Sequence, residues 1–265
     1  MSQIRHCVFL VIDIGNTRTK WALADAEGKL SEVESCFNAD IATSSLPQDA
    51  MRSQKAIIAN VAAEAVAHQV AQLLQATGKE FHFVAAKVQA CGVINGYQKP
   101  HTLGADRWAA LIAAWHLYRH AAVVVNAGTA ITVDALIEDA TNNNIGENGL
   151  YLGGTIMPGL RLMHESLSHH AAQLNIPSGA MSTFPINTQD AMQTGCLNAA
   201  SGAIVIMCQQ LEKHCGVMPK VVMSGGDAGK IAEAINANLI PGLKQVIIVK
   251  NLVLQGLVLL EKECR

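Results

Sequence analysis

The stretch Val8-Phe9-Leu10-Val11-Ile12-Asp13-Ile14-Gly15-Asn16-Thr17 decides how the chain is read. Six apolar residues, Cys7 to Ile12, run directly into an acid, a glycine and two small polar residues. Six is short for a helix and right for a buried strand, and Gly15-Asn16 is turn chemistry. Thr19-Lys20-Trp21-Ala22-Leu23-Ala24 then reads as a return strand, polar at Lys20 and apolar at Trp21 and Leu23. Asp13, Asn16, Thr17 and Lys20 gather at the bend. Backbone, hydroxyl and amide donors with a lysine there suit phosphate oxygens, and a carboxylate there suits magnesium. An ordinary hairpin whose Asp and Thr cap its own turn accounts for the same residues.

A second stretch repeats the pattern. Ala121 to Val125 is apolar, Asn126-Ala127-Gly128-Thr129 is the bend, and Ala130 to Asp134 is a β-branched return. Asn126 follows Asp13 by 126 − 13 = 113 residues in a chain of 265. One such signature near the start of each half predicts two related half-domains, 1–118 and 119–265, with the facing turns forming a single nucleotide cleft.

The composition supports a large α/β core. Half of the residues are hydrophobic and 15% are charged, ample material for burial. A net charge of −2 and the absence of any Lys/Arg run argue against a nucleic-acid partner. Seven cysteines, irregularly spaced and without Cys-x-x-Cys, read as reduced thiols of a cytoplasmic protein. The apolar run from Cys7 is too short for a signal peptide and lacks a cleavage site. The run Val246 to Leu260 is interrupted by Lys250, Asn251 and Gln255 and is too short to span a bilayer. It reads as a strand, Gln245 to Val249, followed by a buried helix from Asn251. No membrane partner is expected.

Between the hairpins, Leu30 to Phe37 and Lys55 to Asn60 read as strands and residues 38–54 as irregular. Glu64 to Thr77 reads as a helix with Val66, Val70, Leu73 and Leu74 on one face, stopped by Gly78. Phe81 to Val84 is the next strand. This alternation indicates α/β architecture. Asn95-Gly96 is a strong turn signal that leaves Tyr97 on a loop. Trp108, Leu111, Ile112 and Trp115 are spaced for an amphipathic helix starting near Asp106. An acid there suits the helix dipole as well as a catalytic role. Arg107 beside it can hold a carboxylate in bidentate fashion.

In the second half, Tyr151 to Met157 carries Gly153-Gly154, and Pro158-Gly159 precedes a helix from Leu160. His116 with His120, and His164, His169 and His170, lack further ligands at metal spacing. Thr188 opens another helix, either as its N-cap or as a ligand donor. Pro219 to Met223 is a short strand ending in Ser224-Gly225-Gly226-Asp227. Its glycines admit another backbone or a flat ligand. Gly225 to Lys230 fails the P-loop spacing, and no Gly-x-Gly-x-x-Gly occurs.

Asp13-Ile-Gly-Asn-Thr17, Gly104-Ala-Asp-Arg107, Gly128-Thr-Ala-Ile-Thr132 and Ser224-Gly-Gly-Asp227, in this order and with Asn95-Gly-Tyr97 and Asn187-Thr188 between them, resemble the type III pantothenate kinases. The resemblance runs the length of the chain. It implies duplicated ribonuclease H-like half-domains of the actin/Hsp70 ATPase type around a central nucleotide cleft. It implies ATP-dependent phosphorylation of pantothenate to 4'-phosphopantothenate, the first step of coenzyme A biosynthesis. ATP phosphates would lie on Asp13, Ile14, Gly15, Asn16, Thr17, Arg18, Thr19 and Lys20, with Asp13 holding magnesium through water. Thr129 would also bind ATP, and Gly225 and Gly226 would sit against the adenosine. Pantothenate would meet Tyr97, Gly104, Ala105, Asp106, Arg107 and Thr188, with Arg107 on its carboxylate and Asp106 as general base. Such transfer needs positioning and charge neutralisation above all.

The family usually has an Asp that ligates potassium or ammonium where this chain has Asn126. An amide oxygen still ligates potassium but brings no charge, so the cation should bind more weakly or be dispensable. A homodimer is implied, with the Trp108 to Trp115 helix as a candidate interface. Two other readings stay open: a kinase of the same superfamily for another small hydroxy acid, and a nucleotide-binding regulator without turnover.

Overall fold

The computed structural model describes residues 8–139, 147–170, 179–237 and 246–263. It divides into two compact units, Met1–Tyr118 with Asn251–Arg265, and Arg119–Lys250. In chain order, the first unit contains β1 (Phe9–Ile14), β2 (Arg18–Ala24), β3 (Glu34–Phe37), a 3-10 turn (Asn38–Thr43), α1 (Leu46–Arg52), β4 (Lys55–Asn60), α2 (Glu64–Ala76), β5 (Glu80–Phe83), β6 (Gln89–Ala90), β7 (Val93–Asn95) and α3 (Ala105–Tyr118). The second contains β8 (Ala122–Ala127), β9 (Ala130–Glu138), β10 (Gly149–Pro158), α4 (Leu160–His170), α5 (Thr188–Cys215), β11 (Lys220–Ser224), α6 (Ala228–Ala237) and β12 (Val246–Ile248). The last helix, α7 (Leu252–Glu263), belongs to the first unit.

In the first unit the strands run in the order β3-β2-β1-β4-β5. β1 is antiparallel to β2 and parallel to β4, β2 is antiparallel to β3, and β4 is parallel to β5. In the second unit β10, β9, β8, β11 and β12 follow one another with the same senses of pairing. This is the ribonuclease H-like arrangement, present once in each unit.

One face of the first sheet is buried by Leu10, Ile12, Ile14, Trp21, Leu23 and Ile58 against Ile41, Leu46 and Ala50 and against Val70 and Leu74 of α2. Strand alternation sends Phe9, Val11 and Asp13 to the opposite face. There α7 packs on β1 and β4, and α3 packs on β4 and α7. In the second unit Val123, Val125, Ile131, Val133, Val221 and Met223 meet Ala200, Ile204 and Leu211 of α5 and Ile231 and Ile235 of α6. α5 is 28 residues long and apolar enough to cross a bilayer by length and composition, but this face of it forms part of the unit's core.

Several expectations need correction. The segment 38–54 is not irregular: Pro47 in the first turn opens α1, and Leu46 and Ala50 are buried. The third strand is shorter than expected, since Leu30 makes only a single bridge to Ala24 before β3 begins at Glu34. The helix around Asp106 is a core helix rather than an amphipathic one. Ala109, Ala110, Ala113 and Ala114 are buried as fully as Trp108, Leu111, Ile112 and Trp115, so both tryptophans are core residues and not an interface. Truncating either would cost about 3–5 kcal/mol.

The second half-domain does not run to the C-terminus. α7 clusters with the first unit because Gly256 lets its backbone approach α3 so closely that an added Cβ would sit 1.9 Å from the Ala109 carbonyl oxygen. Cys36, Cys91, Cys196, Cys208 and Cys215 are free thiols, and burial pushes the Cys208 thiol up to about 12. Cys7, Cys264, Gln245, residues 140–146 and the side chains of His169 and His170 lie outside the described residues.

Candidate active site

The first hairpin is held shut by its own backbone. Ile14 pairs with Thr19 and Asp13 with Lys20, and the Gly15 N–H donates to the Arg18 carbonyl at 3.0 Å. Residues on opposite strands at one register position share a face, so Asp13 and Lys20 are neighbours on the side away from the Trp21 core. Thr19 points the other way. It is fully buried and its hydroxyl donates to Asn38 Oδ1 at 2.9 Å. Arg18 is turned onto β3: its guanidinium lies 4.4 Å from the Phe37 ring centroid and donates to the Ser35 hydroxyl at 3.0 Å. Within the run 13–20, Asn16 is exposed and Asp13, Gly15, Thr17 and Lys20 are partly exposed at the bend.

The carboxyl ends of parallel strands are where α/β sheets bind ligands. β1 and β4 end side by side here, and the Val61 N–H donates to the Ile14 carbonyl at 3.0 Å. Gly104 sits next to Val61: a Cβ added to it would lie 3.5 Å from Val61 Cγ1 and 2.7 Å from Asp106 Oδ1. Gly104 is therefore bare because the Asp106 carboxylate occupies the space. Asp106 is in the first turn of α3, and its Oδ1 accepts the Arg107 N–H at 2.7 Å. The helix dipole favours an anion there.

Asp13 and Asp106 belong to one electrostatic group. The Asp13 carboxyl is raised from 3.8 to about 7, first by loss of solvation and then by the charge of Asp106, against the opposing pull of Lys20. A desolvated carboxylate beside a second carboxylate is relieved by a cation, and oxygen donors of this kind suit a hard divalent ion. The residues present therefore fit magnesium.

Arg107 is buried. Its guanidinium donates to the Tyr97 hydroxyl at 2.9 Å. Tyr97 is positioned by Asn95, whose Oδ1 accepts the Tyr97 N–H at 3.1 Å and whose Nδ2 donates to the carbonyls of Lys87 and Pro100. The structure thus gathers Asp13, Lys20, Tyr97, Gly104, Ala105, Asp106 and Arg107 in the first unit.

In the second unit Asn126 pairs with Thr132 across the second hairpin and with Ser224 of β11. The bend is closed by the Gly128 N–H donating to the Ala130 carbonyl, and the Gly159 N–H donates to the Thr129 carbonyl. A Cβ on Gly159 would meet the Gly128 carbonyl oxygen at 2.2 Å, which makes Gly159 a packing glycine of this turn. Gly225 has φ +109° and a Cβ on it would meet the Ala127 carbonyl oxygen at 2.2 Å. Of the two openings the sequence allows for Gly225, another backbone fills this one. A Cβ on Gly226 would meet open space among the described residues.

Thr188 is exposed and is not the N-cap of α5. That position is Asn187, whose Oδ1 accepts the Asp190 N–H at 2.9 Å while its Nδ2 donates to Asp190 Oδ2. Thr188 lines an open cavity of about 570 Å³ between α4 and α5, with Pro158, Met163, Leu167, Met192 and Cys196. Asn38 was not found from sequence, and Gly159 was read only as part of the Pro-Gly break before a helix. Neither belongs to a repeated pattern, and each matters only through a contact made by folding.

The fold class is α/β, with one ribonuclease H-like sheet in each unit. It is shared with a Campylobacter jejuni crystal structure described as a conserved Baf family transcriptional activator, at a TM-score of 0.58 and 23% identity over 96% of this chain and 98% of that one. It is also shared with component A of (R)-2-hydroxyglutaryl-CoA dehydratase from Acidaminococcus fermentans, at a TM-score of 0.50 and 12% identity over 97% and 99%. A family profile described as type III pantothenate kinase matches residues 9–210. The type III pantothenate kinase of Methylobacillus flagellatus is 38% identical over 96% of this chain and 97% of its own length, and that of Nitrosospira multiformis is 36% identical over 97% and 92%. The chain belongs to the type III pantothenate kinase family.

Proposed function

We propose that the chain transfers the γ-phosphoryl group of ATP to the primary hydroxyl of pantothenate, giving 4'-phosphopantothenate and ADP at the first step of coenzyme A biosynthesis. The observation that carries this reading is the grouping of Asp13, Asp106 and the Arg107–Tyr97 pair at the carboxyl ends of β1 and β4.

Arg107 and Tyr97 hold the pantothenate carboxylate, with the Gly104–Ala105 backbone and Thr188 as further contacts. Asp106 accepts the hydroxyl proton as the oxygen attacks phosphorus, and ADP leaves with the cleaved bond's electrons. The hairpin residues Gly15, Asn16, Thr17 and Lys20 face the phosphates, while Arg18 and Thr19 shape the hairpin from its two sides and Ile14 packs in the core beneath it. Thr129 and Gly226 meet ATP from the second hairpin and the β11 end, with Gly225 setting the approach. Asp13 would hold magnesium through water, and the ion would supply charge neutralisation on the phosphates. Asn126 would hold potassium or ammonium through its amide oxygen, without contributing charge. The enzyme works in the cytoplasm as a homodimer.

An ADP-release assay with a panel of hydroxy acids tests this reading. Turnover that depends on pantothenate supports it. Turnover confined to another acid moves the substrate, and ATP binding with no turnover on any acceptor removes the activity.

A further inference from the structure

Asn38 lies outside every motif of the site, yet it touches the first hairpin at three places. Its backbone N–H donates to the Thr17 carbonyl at 3.1 Å. Its Nδ2 donates to the Gly15 carbonyl at 2.8 Å. Its Oδ1 accepts the hydroxyl proton of the fully buried Thr19 at 2.9 Å. These contacts span the turn, from Gly15 on the β1 side to Thr19 on the β2 side. They reach it from the junction of β3 and the 3-10 turn, behind the bend.

An amide is suited to this position because it offers a donor and an acceptor on one rigid plane. A carboxylate would repel the Gly15 carbonyl, and a hydroxyl is too short to reach both partners. The buried Thr19 hydroxyl fixes the amide's orientation, and the amide then fixes the Gly15 carbonyl. With that carbonyl held, the planar Gly15–Asn16 peptide, and with it the Asn16 N–H, is fixed in orientation. Preorganised backbone donors of this kind bind phosphate without a reorganisation cost.

We infer that Asn38 is a positioning residue for ATP, which holds the 15–19 turn in its phosphate-binding shape through Gly15 and Thr19. The inference rests on the reading of the first hairpin as the phosphate site and adds to it a residue that does not touch the nucleotide.

Steady-state kinetics on the full chain test it. Asn38→Ala should raise the KM for ATP about tenfold, the scale of one or two hydrogen bonds, with kcat and the KM for pantothenate within about twofold of the parent. Thr19→Val keeps the buried shape but removes the donor, and should raise the KM for ATP about threefold, while Thr19→Ser should restore the parent value. Lys20→Met is the control for the hairpin itself. If Lys20→Met raises the KM for ATP and neither Asn38→Ala nor Thr19→Val does, the positioning role is overturned and the phosphate site stands. If Lys20→Met also leaves it unchanged, the phosphate site is wrong and the role of Asn38 falls with it. Equal losses for both substrates, or a lowered melting temperature with unchanged KM values, would make Asn38 a residue of general stability and overturn the inference. Should Asn38→Ala not fold, the Thr19 pair decides alone.

Discussion

The Arg107 guanidinium donates to the Tyr97 hydroxyl at 2.9 Å, although Tyr97 lies on a loop and Arg107 is buried in the first turn of α3. The hydroxyl holds Nη1 of the guanidinium and so helps to set its orientation. Arg107→Lys cannot reproduce that fork. It is expected to raise the KM for pantothenate about 10–100-fold, the scale of a hydrogen bond to a charged group. Tyr97→Phe should raise it about threefold to tenfold, since the charge remains. The KM for ATP should move little in both. Initial rates against pantothenate check this, and an unchanged KM in Arg107→Lys would remove Arg107 from the carboxylate site.

The raised Asp13 pKa has a consequence for stability. Unfolded, this carboxyl titrates near its ordinary 3.8, and folded at about 7. Between these values the native state holds a proton that the unfolded state has lost. Its contribution therefore falls as pH rises from about 4 to 7 and is flat above. Asp13→Asn should flatten that slope and raise the melting temperature at pH 8 by a few degrees, roughly 2–4 °C per kcal/mol. Magnesium should raise the melting temperature of the parent more at pH 8 than at pH 6, because the ion competes with the proton. Thermal melts over this range settle both signs, and a parent stability that rises from pH 4 to 7 while Asp13→Asn does not would contradict them.

Gly225 and Gly226 should separate cleanly. Gly225→Ala forces a methyl onto the Ala127 carbonyl at a φ of +109° and should destabilise by about 3 kcal/mol or more. Gly226→Ala meets open space among the described residues and should change stability by less than about 1 kcal/mol, while raising the KM for ATP. Denaturant melts paired with ATP kinetics give the contrast. A stable Gly225→Ala would contradict the packing role.

At the proposed cation site, Asn126 would offer an amide oxygen without charge. Asn126→Asp should increase potassium activation, with half-saturation at about tenfold lower concentration, because ligand charge sets cation affinity. Rates titrated with potassium chloride against a choline chloride control measure it. Identical titrations in parent and variant would place the cation elsewhere.

Much of this was legible in the chain itself. β1 and β8 were readable because continuous apolar runs ended in Gly-containing turns, β4 because its apolar run is short and bounded by polar residues, and α3 because its tryptophans fall at helical spacing. The burial of Ala109 to Ala114 was not, since alanine suits a solvent face and a helix interface equally. It took Gly256, far along the sequence, to bring α7 onto that side. For the same reason α7 was assigned to the wrong half. Asp106 and Arg107 stood out by their chemistry. Asn38 did not, because its worth lies in three hydrogen bonds to a turn about twenty residues earlier. Nor could the sequence tell Asn187 from Thr188 as the cap of α5, because both residue types cap helices.

The measurement that tests the account most directly is the single-turnover rate of Asp106→Asn with saturating ATP, magnesium and pantothenate, alongside binding of both substrates. Removing the proton acceptor while leaving the shape intact should slow phosphoryl transfer about 10²–10⁴-fold with both substrates still bound. A rate within about threefold of the parent would show that Asp106 does not take the hydroxyl proton.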